Sequence, residues 1–230
     1  MILPNNNAGR GGIALTLPLT KTLSPDDYRF LAEEVEWIRE HFSQEMQQQH
    51  EQRYWEYGMA LRALTSYYGL QERVQLDVLD VGGAGSPLRS IVGHYFAGHL
   101  RCSIVDPKVN VPLDGWGWQA DAVLCVSVLE HVEEVTGFLA HLDRVLVPGG
   151  LLFLTVDCED MPSPDGKDNR HFHWMRRRIF NLETWRKLGE PFARVGYQLF
   201  GGADWGWHGS HVFDYGFASL CLQKPVTREG

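Results

Sequence analysis

Val78-Leu79-Asp80-Val81-Gly82-Gly83-Ala84-Gly85-Ser86-Pro87 is the stretch on which the reading of this chain turns. A short apolar strand, interrupted by one acid, runs into a bend of small residues. Pro87 then opens a helix carrying Leu88, Ile91, Val92, Tyr95 and Phe96 at helical spacing. A strand that ends in glycines and feeds a helix lets backbone N–H groups approach a ligand closely. The dinucleotide fingerprint G-x-G-x-x-G is not met, because Gly82 to Pro87 lacks the third glycine. Asp80, two residues before the first glycine, would repel a pyrophosphate and suits a ligand bearing positive charge.

Working outward, the same alternation continues. Cys102-Ser103-Ile104-Val105-Asp106 is expected as a second strand, Ala122 to Val126 as a third and Leu151 to Val156 as a fourth. A helix from about Val135 to Leu146 precedes the turn Pro148-Gly149-Gly150. Apolar strands alternating with helices predict an α/β fold with a mostly parallel sheet covered on both faces. Further on, Asp157 to Arg170 reads as a long polar loop, Asn181 as the cap of a short helix, and Ala193–Phe200 and Phe217–Leu222 as two more strands around the insertion Gly201–His211. Upstream, residues 1–23 read as an irregular arm. Ser24-Pro25-Asp26-Asp27 opens a helix with Tyr28, Leu31, Val35, Ile38 and Phe42, and a second helix runs from about Ser43 to Tyr68, stopped by Gly69. The expected division is therefore 1–73, an arm and helices on the substrate side, and 74–230, the α/β domain.

Composition narrows the function classes. With 230 residues, 44% hydrophobic and 22% charged, the chain can bury a sizeable core, which excludes disorder as its main state. No run of about 18 apolar residues suggests a membrane span. The net charge of −8 argues against a duplex-DNA binder working through bulk charge. Its one dense basic cluster, Arg176-Arg177-Arg178, reads as a solvated face. Cys102, Cys125, Cys158 and Cys221 are too far apart for a zinc or C-x-x-C motif and fit buried thiols of a reducing compartment. The start of the chain lacks the pattern of a signal peptide, so cytoplasmic residence is expected.

Four segments together are similar to the class I S-adenosylmethionine (SAM)-dependent methyltransferases. Leu79 to Ser86 resembles their first motif, and Asp106 closes the second strand where the family's ribose-binding acid lies. Ala120 to Val132, including Ser127-Val128-Leu129-Glu130-His131, resembles their fourth strand and the loop after it; Arg144 to Leu154 resembles the next helix, turn and strand. Residues 74–223 share this order. The resemblance implies a Rossmann-like methyltransferase fold with an antiparallel C-terminal strand and SAM as cofactor. It places Gly82, Gly83, Ala84 and Gly85 along the amino-acid moiety, Asp80 near its ammonium, Asp106 with Pro107 at the ribose, and Ser127 and Val128 beside the methylthio or adenine region. Two departures stand out. Ala84 and Ser86 replace the second and third glycines of D-x-G-x-G-x-G, and only 14 residues separate Asp106 from Asp121. That gap is too short for the usual helix and strand, so the edge strand after Asp106 is expected to be reduced or absent, with Asp114 or Trp116 filling in at the adenine pocket.

Methyl transfer from a sulfonium mainly needs alignment, plus a base where the acceptor carries a proton. His131 is the candidate, after the fourth strand; His171 and His173 are weaker ones, and His208 and His211 read as surface or packing residues. Each candidate has an ordinary structural role beside the functional one: a turn cap for Asp80, an Asx-type turn for Asp106, a helix start for His131. No metal is expected, since Asp157, Glu159, Asp160, Asp165 and the nearby histidines fit no tight ligand motif. The chain carries neither an Asp/Asn-Pro-Pro-Tyr/Trp motif nor a Pro-Cys nucleophile. The expected activity is thus methyl transfer to an O or N atom of a small molecule or glycan, with no nucleic acid or membrane partner; the oligomeric state stays open. Two alternatives stand beside it: a binding or partner-docking module on the same fold, and a nicotinamide-dependent oxidoreductase.

Overall fold

A computed structural model describes residues 18–24, 26–71, 75–106, 117, 119–160, 169–172, 177–208 and 216–226. The chain enters through a short strand β1 (Lys21–Thr22) and three helices, α1 (Asp27–Phe30), α2 (Ala32–Met46) and α3 (Gln52–Tyr68). The α/β part follows: β2 (Leu76–Val81), α4 (Leu88–Tyr95), β3 (Leu100–Val105), β4 (Ala120–Val126), α5 (Val135–Val145) and β5 (Leu146–Glu159). It closes with the hairpin β6 (Asn169–Phe172) and β7 (Arg177–Asn181), helices α6 (Leu182–Lys187) and α7 (Glu190–Arg194), and strands β8 (Gln198–Leu199) and β9 (Gly216–Gln223).

The principal sheet order is β1-β9-β5-β4-β2-β3. β3, β2, β4 and β5 are parallel, and β9 runs antiparallel against β5 from Leu151↔Gln223 to Cys158↔Gly216. Helical crossovers cover both faces, so Val78 to Val81 and Ala120 to Cys125 are wholly buried. On one face, α2 and α3 pack with α4 in a single apolar core that joins Ile38, Leu61 and Leu64 to Val78, Ile91, Leu124 and Phe153. On the other, Leu139 and Leu142 of α5 and Trp185 of α6 pack on Leu79, Val123 and Leu152.

This is the mixed, mostly parallel Rossmann-like sheet that the sequence predicts, with its antiparallel C-terminal strand. Among the described residues β3 is the sheet's last strand on that side. Residues 107–116, including Pro107, Asp114 and Trp116, lie outside the described residues. Five local expectations are corrected. The end of the arm is a strand, since Lys21 and Thr22 pair with Ser219 and Ala218. The expected boundary near Ser43 is present only as a kink in α2, where Phe42 has φ −131° and ψ 25°, and a further break after Met46 separates this piece from α3, which starts at Gln52. Pro148-Gly149-Gly150 is a bulge inside β5, where pairing jumps from Ala120↔Leu146 to Ala122↔Leu151. Asp157 and Glu159 belong to β5, not to a loop, and β6 claims Asn169 and Arg170. Residues 193–200 are mostly not strand: α7 reaches Arg194 and only Gln198 and Leu199 pair with β9.

The cysteines are free thiols, buried except for half-buried Cys102. Burial, then the nearby Asp80 carboxylate, pushes the Cys102 thiol up to about 12. Among the described residues no helix is long and apolar enough to cross a membrane.

A buried ion pair fastens the N-terminal segment to the sheet edge. Asp27 accepts from Lys21 Nζ at 2.5 Å, from Trp55 Nε1 at 3.0 Å and from the Ser24 backbone N–H at 2.9 Å. Trp55 itself is fully buried. Trp55→Phe keeps most of the packing but removes one donor to a buried charge, and is expected to cost about 1.5–3 kcal/mol. Trp55→Ala also opens a cavity and is expected to cost about 3–5 kcal/mol. Urea unfolding of the two variants checks the order and the size of these losses.

Candidate active site

The site lies at the carboxyl ends of β2 and β4, where ligands bind in open parallel sheets. Asp80, Gly82, Gly83, Ala84, Gly85 and Ser86 form one wall of a cavity of about 180 Å³. Val126 and Ser127, at the end of β4, form its floor, and Gln49, Arg53 and Tyr57 cover it. The bend is held locally. Gly82 N–H donates to Val105 O at 2.7 Å, Ser86 N–H to Gly83 O at 2.9 Å, and Leu88 N–H at the start of α4 to Ser86 Oγ at 3.1 Å. Tyr57 Oη and Ser86 Oγ are 3.0 Å apart, joining the cover to the bend.

Two glycines are sterically required. Gly82 has φ +80°, and a Cβ there would sit 2.5 Å from Val128 Cγ2. A Cβ at Gly83 would sit 2.5 Å from Asp80 Cγ, inside the carboxylate. Ala84, exposed on the bend, is tolerated where the usual motif has glycine.

Asp80 is the chemically unusual group. It is 2% exposed, and its Oδ2 has no hydrogen-bond partner among the described residues. Burial, reinforced by the Asp106 carboxylate, pushes its carboxyl up to about 7. A buried acceptor left open toward a small-residue cradle fits an ammonium or another donor-bearing cation. Arg53 faces the same cavity with the opposite charge. Burial would lower its pKa, but Glu56 and then Tyr57, Glu130 and Asp157 more than offset this, and it stays protonated. The cavity thus offers an anion-accepting group and a cation-accepting group within one small space. That fits a zwitterionic amino-acid end.

Of the residues nominated from sequence, Asp80, Gly82, Gly83, Ala84, Gly85 and Ser127 come together around this cavity. Val128 packs behind Gly82. Asp106 is 8% exposed and close enough to perturb Asp80, but does not line the cavity. His131 ends a 3-10 turn (Leu129–His131), is exposed and is not in the lining. His171 lies on β6, its side chain outside the described ones, and His173 and His211 lie outside the described residues altogether. His208 is exposed, with Nε2 2.7 Å from Asp204 Oδ2. Sequence reasoning passed over Gln49, Arg53 and Tyr57. Gln49 precedes α3, and the four-residue spacing of Arg53 and Tyr57 on that largely buried helix does not by itself mark a binding wall.

Comparison with known proteins gives the family and the fold. The profile of a family described as a methyltransferase domain matches residues 48–200, and the chain belongs to that family. Its recognition as a methyltransferase stands. Among solved structures it resembles the 1,6-didemethyltoxoflavin-N1-methyltransferase of Burkholderia thailandensis at 17% identity, with TM-score 0.52, over 88% of this chain and 91% of that one. It also resembles the plantazolicin methyltransferase BpumL at 10% identity, with TM-score 0.50, over 87% and 99%. At these identities the likeness is one of fold. No curated protein matches the sequence significantly.

Two outcomes test the cradle. The native state keeps the Asp80 proton up to pH about 7, so this group's stability contribution is fully present at low pH and is lost as pH rises toward 7. A cationic ligand favours the carboxylate. Affinity for S-adenosylhomocysteine (SAH) is therefore expected to rise between pH 5.5 and 7, by at most about tenfold per unit, and to flatten above. Calorimetry across this range checks it, and a flat profile removes Asp80 from the ligand. Gly83→Ala is expected to abolish SAH binding by displacing the Asp80 carboxylate while leaving a cooperative thermal transition.

Proposed function

We propose that this protein transfers a methyl group from SAM to an oxygen or nitrogen atom of a small molecule or saccharide. The observation that carries the reading is Asp80: a buried carboxylate oxygen without a hydrogen-bond partner among the described residues, over a bend of small residues and facing a guanidinium across a small cavity. Bound there, SAM supplies an already activated methyl group. The chain's own residues bind and orient. Asp80 accepts from the ammonium of the amino-acid end, and Arg53 donates to its carboxylate. Asp106, at the end of β3, accepts from the ribose hydroxyls, while Ser127 and Val128 border the reacting end. The bend keeps its backbone close to the ligand because Gly82 and Gly83 carry no side chain.

The two structures sharing this fold hold small organic molecules beside SAH, which supports an acceptor of that class. Among the described residues no group of three His, Cys, Asp or Glu is placed to hold a metal ion, and the reading uses none. It names no general base, since His131 is exposed and outside the cavity lining.

Incubation with labelled SAM and a panel of phenols, amines and sugars tests the activity, and label transfer to a member of one class is the expected result. Absence of SAH binding at millimolar concentration would sink it in favour of a partner-docking module. Asp106→Ala is expected to weaken SAH by roughly 1.5–3 kcal/mol through lost charge-assisted hydrogen bonds. Calorimetry checks this, and an unchanged affinity would put the ribose elsewhere.

A further inference from the structure

Glu56, on α3, is fully buried, yet no aspect of the proposed reaction uses it directly. Its two oxygens hold different parts of the cavity. Oε2 accepts from Arg53 Nη1 at 2.7 Å. Oε1 accepts from Ser127 Oγ at 2.6 Å and from Thr155 Oγ1, in the middle of β5, at 2.5 Å. Thr155 closes the triangle: its Oγ1 accepts from Ser127 N–H at 3.1 Å, and its carbonyl oxygen accepts from the same N–H at 3.2 Å. Ser127 needs such fixing. It has φ +50°, a left-handed conformation that a non-glycine residue holds only when its surroundings insist.

We infer that Glu56 is a positioning residue that aims Arg53 at the carboxylate end of the cofactor and thereby selects a carboxylate-bearing donor. The inference rests on the SAM-binding reading above. Its physical basis is competition for one guanidinium. Glu130 and Asp157 also attract Arg53, and Glu130 is itself completely buried, with Oε2 lacking a hydrogen-bond partner among the described residues. Without a fixed anchor the guanidinium would turn toward those acids and away from the cavity. Glu56 supplies the anchor from one helical turn along the same helix and uses a single edge of the fork, which leaves the remaining N–H donors for a ligand. A purely stabilising role explains this poorly, because buried ion pairs are often replaceable by apolar side chains at no loss of stability. The second oxygen, given over to two hydroxyls that set the floor of the same cavity, points to placement instead.

The test compares two probes by calorimetry: SAH, and its decarboxylated analogue, the same nucleoside thioether ending in a propylamine. Glu56→Gln is nearly isosteric and keeps an oxygen for the hydroxyls. It is expected to weaken SAH at least about tenfold and the analogue less than about threefold, so that the preference for the carboxylate collapses. A merely structural role would weaken both probes alike and leave their ratio unchanged, and that result overturns the inference. Glu56→Asp, which retracts the charge by one methylene, covers the case in which the Gln variant fails to fold. Its expected ratio is at least about threefold below the parent's, and an unchanged ratio again overturns the inference. If the parent protein binds neither probe, the cofactor reading itself fails and this inference goes with it.

Discussion

The structure is organised around a buried carboxylate whose Oδ2 finds no hydrogen-bond partner among the described residues. Asp80, next to last in a central strand of a sheet covered on both faces, is 2% exposed, and a lone charge there is costly. Moving the group outward would be the simple remedy, and the surroundings prevent it. Gly83 lies against the carboxyl without a side chain, Val128 presses on Gly82, and α3 covers the opening with Tyr57 tied to Ser86. The fold therefore holds an acceptor ready at the expense of its own stability near neutral pH. Such an arrangement is expected where a ligand, not the chain, completes the hydrogen bonding.

How much of this was legible follows from how local each signal is. The strand, bend and helix from Leu76 to Tyr95 were readable because hydrophobic spacing changes period across a run of small residues. Asp80 and Asp106 stood out as acids at ends of apolar strands. The start of α3 was not readable. Gln47, Gln48 and Gln49 are adequate helix formers with no glycine or proline among them, so nothing local announces the break before Gln52. Residues 193–200 alternate like a strand, yet Pro191 sits in the first turn of α7 and the chain around Gly196 follows the helix end, leaving two residues to pair. Asp157 and Glu159 read as loop because their polarity outweighed the strand pattern; burial of acids in a strand is visible only once neighbouring elements are in place.

The cover of the cavity was the larger omission, and its cause is long range. Arg53, Glu56 and Tyr57 lie about 70 to 100 residues from Ser127 and Thr155, which Glu56 bonds at sequence separations of 71 and 99. In the sequence they are three polar residues on a helix, indistinguishable from a solvated stripe. Only when Leu61 and Leu64 of the same helix are buried against Val78 and Leu124 does that stripe come to lie over the strand ends. Apolar packing sets the position of α3, and the position turns ordinary polar residues into a binding wall.

The two ends of the cavity also differ in kind. A guanidinium among carboxylates keeps its charge over the whole physiological range, so recognition of an anionic group by Arg53 does not vary with pH. Asp80 changes charge near neutrality, because burial and Asp106 both oppose its ionisation. A lysine in place of Arg53 would offer a point charge on a flexible stem, with no fork to divide between Glu56 and a ligand. On the proposed reading, arginine at one end and a buried acid at the other make the cavity a fixed anion receptor joined to an adjustable cation receptor. Titration of the acid near the end of β2 is thus one source of pH dependence in ligand capture on the protein side.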